Sequence, residues 1–97
     1  MRIISIKKLK DFWQKHADAE QQLKAWYAEV KNSDWNNHAA ITKLFRTASI
    51  LPNNRVVFNI KGNKYRIVTA INYDYKIVYI RFVGTHAEYD NINAGEI

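Results

Sequence analysis

The chain of 97 residues is 47% hydrophobic and 13% aromatic and carries a formal net charge of +6. This composition excludes a disordered tail and predicts one folded domain over residues 1–97. Without cysteine, disulfides and thiolate metal sites are excluded. Charges inside "MRIISIKKLKDFW" break any secretion leader, and no run approaches a membrane span, so a cytoplasmic protein without a membrane partner is expected.

In chain order, "RIIS" reads as a short edge strand. Ile6, Leu9, Phe12 and Trp13 follow helical spacing and predict a helix to about His16. Asp18 is placed to N-cap a second helix whose buried stripe is Leu23, Trp26, Tyr27 and Val30. "SDWNNHAAITKLF" supplies capping residues and then Ile41, Leu44 and Phe45 for a third, shorter helix. The aromatic stripes belong to a core, and His16 and His38, at helix ends among polar neighbours, are expected to be exposed. After Pro52 the period becomes alternating, and "RVVFNI", "KYRIVTAIN" and "KIVYIRFV" read as three strands. The fold class is α+β, with about three N-terminal helices packed on one face of a small antiparallel sheet.

The turns set a register. Gly62-Asn63 suits a two-residue turn with glycine first, which places Asn59 opposite Arg66 and Phe58 opposite Ile67. A turn at Asp74-Tyr75 places Val68 opposite Arg81, Thr69 opposite Ile80 and Ala70 opposite Tyr79. One face then collects Val56, Phe58, Ile60, Ile67, Thr69, Ile71, Val78, Ile80 and Phe82, a core face for the helices. The other collects Arg55, Asn59, Lys64, Arg66, Tyr79 and Arg81. Arg66 and Arg81 become diagonal neighbours, roughly 7–8 Å apart. Two guanidinium forks that close match the oxygens of a phosphate. Spacing alone leaves equally open a solvated face on which they pair with Glu88 or Asp90.

Charge is unevenly spread. Residues 51–84 hold six basic side chains against Asp74, while residues 85–97 hold Glu88, Asp90 and Glu96 and no lysine or arginine. A positive middle suggests a polyanion site on the strands. In "RFVGTHAEYD", Gly84 allows a sharp turn, and "THAE" fits a capping box with Thr85 as N-cap and Glu88 reaching back. His86 then begins a short helix just beyond the strand carrying Arg81, with Tyr89 three residues on. Arginines, an imidazole and a tyrosine, with no zinc, Walker or dinucleotide motif, suit RNA cleavage by the substrate's own 2′-hydroxyl. Such a reaction needs neither metal nor cofactor.

"RVVFNIKGNKYRIV" at 55–68 together with "VYIRFVGTHAEYDNI" at 78–92 resembles the HigB-type toxins of type II toxin–antitoxin systems, in the RelE superfamily. The resemblance spans nearly the whole chain, including "LKDFW", Trp26, Trp35 and "NINAGEI". It implies a RelE-like fold and a metal-independent mRNA endoribonuclease that acts on messages engaged by the ribosome. It also implies a HigA-type helix-turn-helix antitoxin as partner, through which alone the toxin would meet DNA. On the motif positions, Arg66 and Arg81 are assigned to the scissile phosphate, His86 to proton transfer and Tyr89 to positioning or acid catalysis. Arg55, Asn59, Lys61 and Lys64 are assigned to RNA binding. The alternatives are a non-catalytic RNA- or ribosome-binding module, and a basic partner for an acidic protein.

Overall fold

A computed structural model describes residues 1–97, with five strands and four α-helices whose order follows the change of period along the chain. Strand β1 (Arg2–Ile4) leads into α1 (Lys7–Lys15), a 3₁₀ turn (Ala17–Ala19), α2 (Glu20–Lys31) and α3 (His38–Leu44). Then come β2 (Ser49–Leu51), β3 (Arg55–Ile60), β4 (Tyr65–Asn72), β5 (Ile77–Thr85) and the one-turn helix α4 (His86–Tyr89). The three N-terminal helices are those expected; α4 adds a fourth.

The sheet order is β1-β5-β4-β3-β2. β2 through β5 are antiparallel, but β1 runs parallel to β5, so the expected all-antiparallel sheet is in fact mixed. A parallel neighbour needs a long connection; here the helices take the chain from β1 to β2 at the opposite edge, and the antiparallel strands bring it back to β5. β2 is a second edge strand that the sequence did not reveal, because three residues are too few to display a period.

The helical face of the sheet carries the main core. Leu9 of α1, Leu23, Trp26 and Val30 of α2 and Ile41 of α3 are buried against Val56, Phe58, Ile67, Ile71, Val78 and Ile80. Spacing of three and four residues on each helix gives the stripe that meets them. Phe58 sits at the centre: Trp35 stacks on it at 6.3 Å, while Trp26 and Phe45 meet it edge-on at 5.3 and 5.1 Å. Asn37 caps α3 by accepting the Ala40 N–H. Leu44, one of the apolar positions read for this helix, is 47% exposed; the helix ends there and Phe45, in a non-helical conformation, turns inward instead. Asp18 does not cap α2, which starts at Glu20 after the 3₁₀ turn and has no side-chain cap.

Four of the five strand pairings hold: Asn59 with Arg66, Phe58 with Ile67, Thr69 with Ile80 and Ala70 with Tyr79. The β3–β4 turn is less simple than a glycine-first pair, since Lys61 as well as Gly62 has positive φ and pairing stops at Ile60 and Tyr65. The fifth pairing fails. Val68 faces Phe82, not Arg81, because a bulge in β5 inserts Arg81 as an extra residue between Ile80 and Phe82. One inserted residue exchanges the faces beyond it. Phe82 therefore leaves the helical face and joins Val57, Val68 and Ala94 in a second, smaller cluster, closed by Leu51, Tyr89, Ile92 and Ile97.

Replacing Phe58 by alanine should remove the centre of the aromatic core and cost about 3–5 kcal/mol of stability. Urea unfolding would show it as a lower midpoint at unchanged slope.

Candidate active site

The end of β5 is shaped by close packing. A Cβ at Gly84 would lie 2.3 Å from Cζ of Phe82, so no larger residue fits while that ring fills the second cluster. The chain then enters α4 through a complete capping box: the Thr85 hydroxyl accepts the Glu88 N–H, and the Glu88 carboxylate accepts the Thr85 N–H at 2.8 Å. The bond from the Thr85 N–H, above all, holds the Glu88 carboxyl below the usual carboxylate range. The His86 N–H donates to the Lys64 carbonyl at 3.1 Å and ties α4 to the start of β4. His86 itself is exposed, with Nδ1 3.0 Å from Oδ2 of Asp90.

Beyond Tyr79 the edge of β5 is not covered by β1, and α1 lies alongside it. Between them runs a cleft of about 340 Å³ lined by Lys8, Asp11, Phe12, Lys15 and His16 of the α1 region and by Arg81, Phe82, Val83 and Glu88. A second cleft of about 620 Å³ shares Lys15 and His16 with it and is lined also by Asp18, Lys64, Tyr65, Thr85 and His86. The acidic groups on these walls are engaged by the protein. Asp11 pairs with Lys7 at 3.0 Å, Glu88 is bound in the capping box, and Asp18 accepts from Lys64 and from the Tyr65 hydroxyl, each at 2.5 Å. Lys8, Lys15 and Arg81 thus leave the groove cationic. Arg81 is exposed, its guanidinium 5.4 Å from the centre of the Tyr79 ring.

The predicted site residues separate into groups. Arg81 lines the first cleft, and His86 and Lys64 line the second beside it. Arg66 does not. It faces Gly84, three residues from Arg81, and is only 8% exposed. Its guanidinium donates to the Asn63 and Tyr65 carbonyls and lies 5.7 Å from the Tyr89 ring. The diagonal arginine pair is therefore corrected by the bulge, and the face expected to lie open is partly covered by the C-terminal segment. Tyr89 packs into the second cluster and lines a separate groove with Leu51, Ile92 and Gly95, away from His86. Arg55 donates to the Ile97 and Asn53 carbonyls, Asn59 to the Thr47 carbonyl, and Lys61 lies 3.7 Å from Asp18.

Three groove residues escaped the sequence reading. Lys8 and Lys15 stand seven apart on the exposed side of α1, a spacing that places them on one face but that also suits a solvated helix. His16 is not simply exposed. Its ring stacks on Phe12 at 4.3 Å and tilts against Tyr65 at 5.5 Å, half-buried at the junction of the two clefts.

No group of three or more His, Asp or Glu side chains is placed to hold a metal ion, and no helix is long and apolar enough to cross a membrane. The fold and the groove define a small basic α+β protein with a cationic channel open to solvent. The HigB toxin family, described as the RelE-like toxic component of a toxin–antitoxin system, matches residues 19–92. The chain belongs to that family. It is 28% identical over 96 residues to the mRNA interferase toxin HigB of Escherichia coli, covering 97% of this chain and 92% of that protein. The same figures hold for the mRNA interferase HigB of Shigella flexneri.

The Asp18 bridge makes a pH-dependent contact. Hydrogen bonds, from Lys64 first and then Tyr65, lower the Asp18 carboxyl from 3.8 to about 2. A carboxyl whose folded value is depressed stabilises the fold above its ordinary range, and that contribution is lost as the pH falls from about 4 towards 2. Carboxyl-carbon NMR should place the Asp18 titration near the bottom of that window in the native chain and move it upward in Lys64→Ala.

Proposed function

We propose that the chain is an mRNA endoribonuclease, the toxin of a type II toxin–antitoxin pair, which cuts RNA by attack of the substrate's 2′-hydroxyl on the adjacent phosphate. The observation that carries this reading is the pair of adjoining clefts, with Arg81, Lys8 and Lys15 lining one, His86 lining the other, and Lys15 and His16 common to both. Family membership and the relatives named mRNA interferases support it. Because the nucleophile is part of the substrate, the protein needs only to grip the backbone, move protons and stabilise added charge on phosphorus. Arg81 grips the scissile phosphate, Lys8, Lys15 and Lys64 hold flanking phosphates, and His86 transfers a proton. Arg66 and Tyr89 act behind this surface: the buried guanidinium holds the β3–β4 turn and Tyr89 supports it from α4. No metal ion is required, the ribosome presents the message, and a HigA-type helix-turn-helix antitoxin neutralises the toxin in the cytoplasm and brings it to DNA.

Primer extension on cellular messages after induction tests the proposal. New 5′ ends and a halt in growth are expected, in extracts made with or without a chelator. Growth arrest without new ends would instead mean a module that binds RNA or the ribosome without cutting.

The two arginines should part company experimentally. Arg81→Ala, at an exposed site, should abolish growth arrest with an unchanged melting temperature. Arg66→Ala removes a buried donor from two carbonyls and should destabilise the fold by about 1–3 kcal/mol. Thermal unfolding of the two purified variants separates the roles, and equal melting temperatures would contradict them.

A further inference from the structure

Cleavage by a 2′-hydroxyl needs two proton movements: one off the nucleophile and one onto the departing 5′-oxygen. The proposed reading names only His86. Most other groups along the groove are committed to the protein itself. Asp18 and the Tyr65 hydroxyl are bonded to one another, Glu88 is bound in the capping box, Asp11 pairs with Lys7, and Asp90 pairs with His86. Lysine and arginine side chains hold charge well but part with a proton much less readily than imidazole. One further imidazole lines the groove. His16 stands where the two clefts join, on the same cleft as His86 and beside Lys15, and lines the other cleft with Arg81. Its ring is held by stacking, against Phe12 at an interplanar angle of 21° and against Tyr65 at 59°. The ring is thereby oriented, and neither of its nitrogens is hydrogen-bonded to another group of the protein.

Resting on the endoribonuclease reading above, we infer that His16 is a second catalytic residue, the general acid that protonates the leaving 5′-oxygen. The Asp90 contact divides the labour. A carboxylate at Nδ1 of His86 orients that ring and leaves Nε2 to accept a proton, so His86 is the base. The 2′-oxygen bonds to phosphorus as the bond from phosphorus to the 5′-oxygen breaks. His86 takes the 2′-hydroxyl proton and His16 gives its own to the 5′-oxygen. The products are a 2′,3′-cyclic phosphate and a free 5′-hydroxyl, and proton exchange with water resets both rings.

The test uses an mRNA on a programmed ribosome, carrying at the cleavage site either the natural 5′-oxygen or a 5′-sulfur, which departs without needing a proton. His16→Gln and His16→Phe, the latter keeping the stack on Phe12, should each slow cleavage of the natural link about 10²–10⁴-fold. Both should cut the sulfur link within a few-fold of the native rate. His86→Gln should be slow on both substrates. Binding of a 2′-deoxy analogue, which cannot be cut, should be unchanged in all three, showing that the groove is intact. If either His16 variant cuts the natural link at the native rate, or loses as much on the sulfur link as on the natural one, His16 is not the acid. If the native chain cuts neither substrate, the endoribonuclease reading itself falls.

Discussion

The single extra residue in β5 governs the rest of the molecule. Two residues, Ile80 and Arg81, occupy the place of one opposite β4, and everything beyond them changes side. Phe82 is sent beneath the C-terminal segment, where its ring leaves no room for a side chain at Gly84. Gly84 itself stays in the strand, paired with Arg66, and the sharp turn expected there does not occur; α4 begins only after Thr85. Arg81, belonging to neither regular face, projects at the open edge of the strand where α1 forms the opposite wall. Had β5 been regular, Arg81 would have faced Val68 beside Arg66, and like charges would have met across the sheet.

The two arginines show how burial sorts chemically identical groups. Arg66 is desolvated, but its donors are met by carbonyls and its charge by an aromatic face, so it can serve as a brace. Arg81 keeps its hydration and its freedom, which a phosphate-binding group requires. The same sorting applies to the carboxylates. Asp18, Glu88 and Asp11 sit on the groove walls, yet each spends its charge on a neighbour within the protein. The excess of positive charge is thereby concentrated where a polyanion can reach it.

How much of this was legible in the sequence depended on the length of each signal. The six- to nine-residue strands displayed enough alternation, and Gly62 enough turn chemistry, to place Asn59 against Arg66 and Thr69 against Ile80. The spacing of Thr85 and Glu88 announced the capping box outright. Three-residue β2 had no period to read, and the direction of β1 is a property of the whole topology, not of "RII". The bulge carried no glycine or other local mark at Arg81, so it could be found only from the packing of Phe82. Half the groove was missed for a related reason. Lys8, Lys15 and His16 look like an ordinary solvated helix face until β5 is set beside them. The cover over the second face left a faint trace, Ile92 and Ile97 in an otherwise polar tail.

The parallel pairing of β1 with β5 joins Arg2 to Ile77, 75 positions apart along the chain. Closing a loop of that size costs about 4 kcal/mol of chain entropy, which three residues of ladder can scarcely repay without the helices packed behind them. The wall that α1 contributes follows directly from that strand, so the channel is bound to the completion of the entire topology. A fragment comprising the three long strands and α4 would carry Arg81 and His86 yet enclose nothing between them. The groove is in this sense a late product of assembly, owned by no contiguous stretch of the polypeptide.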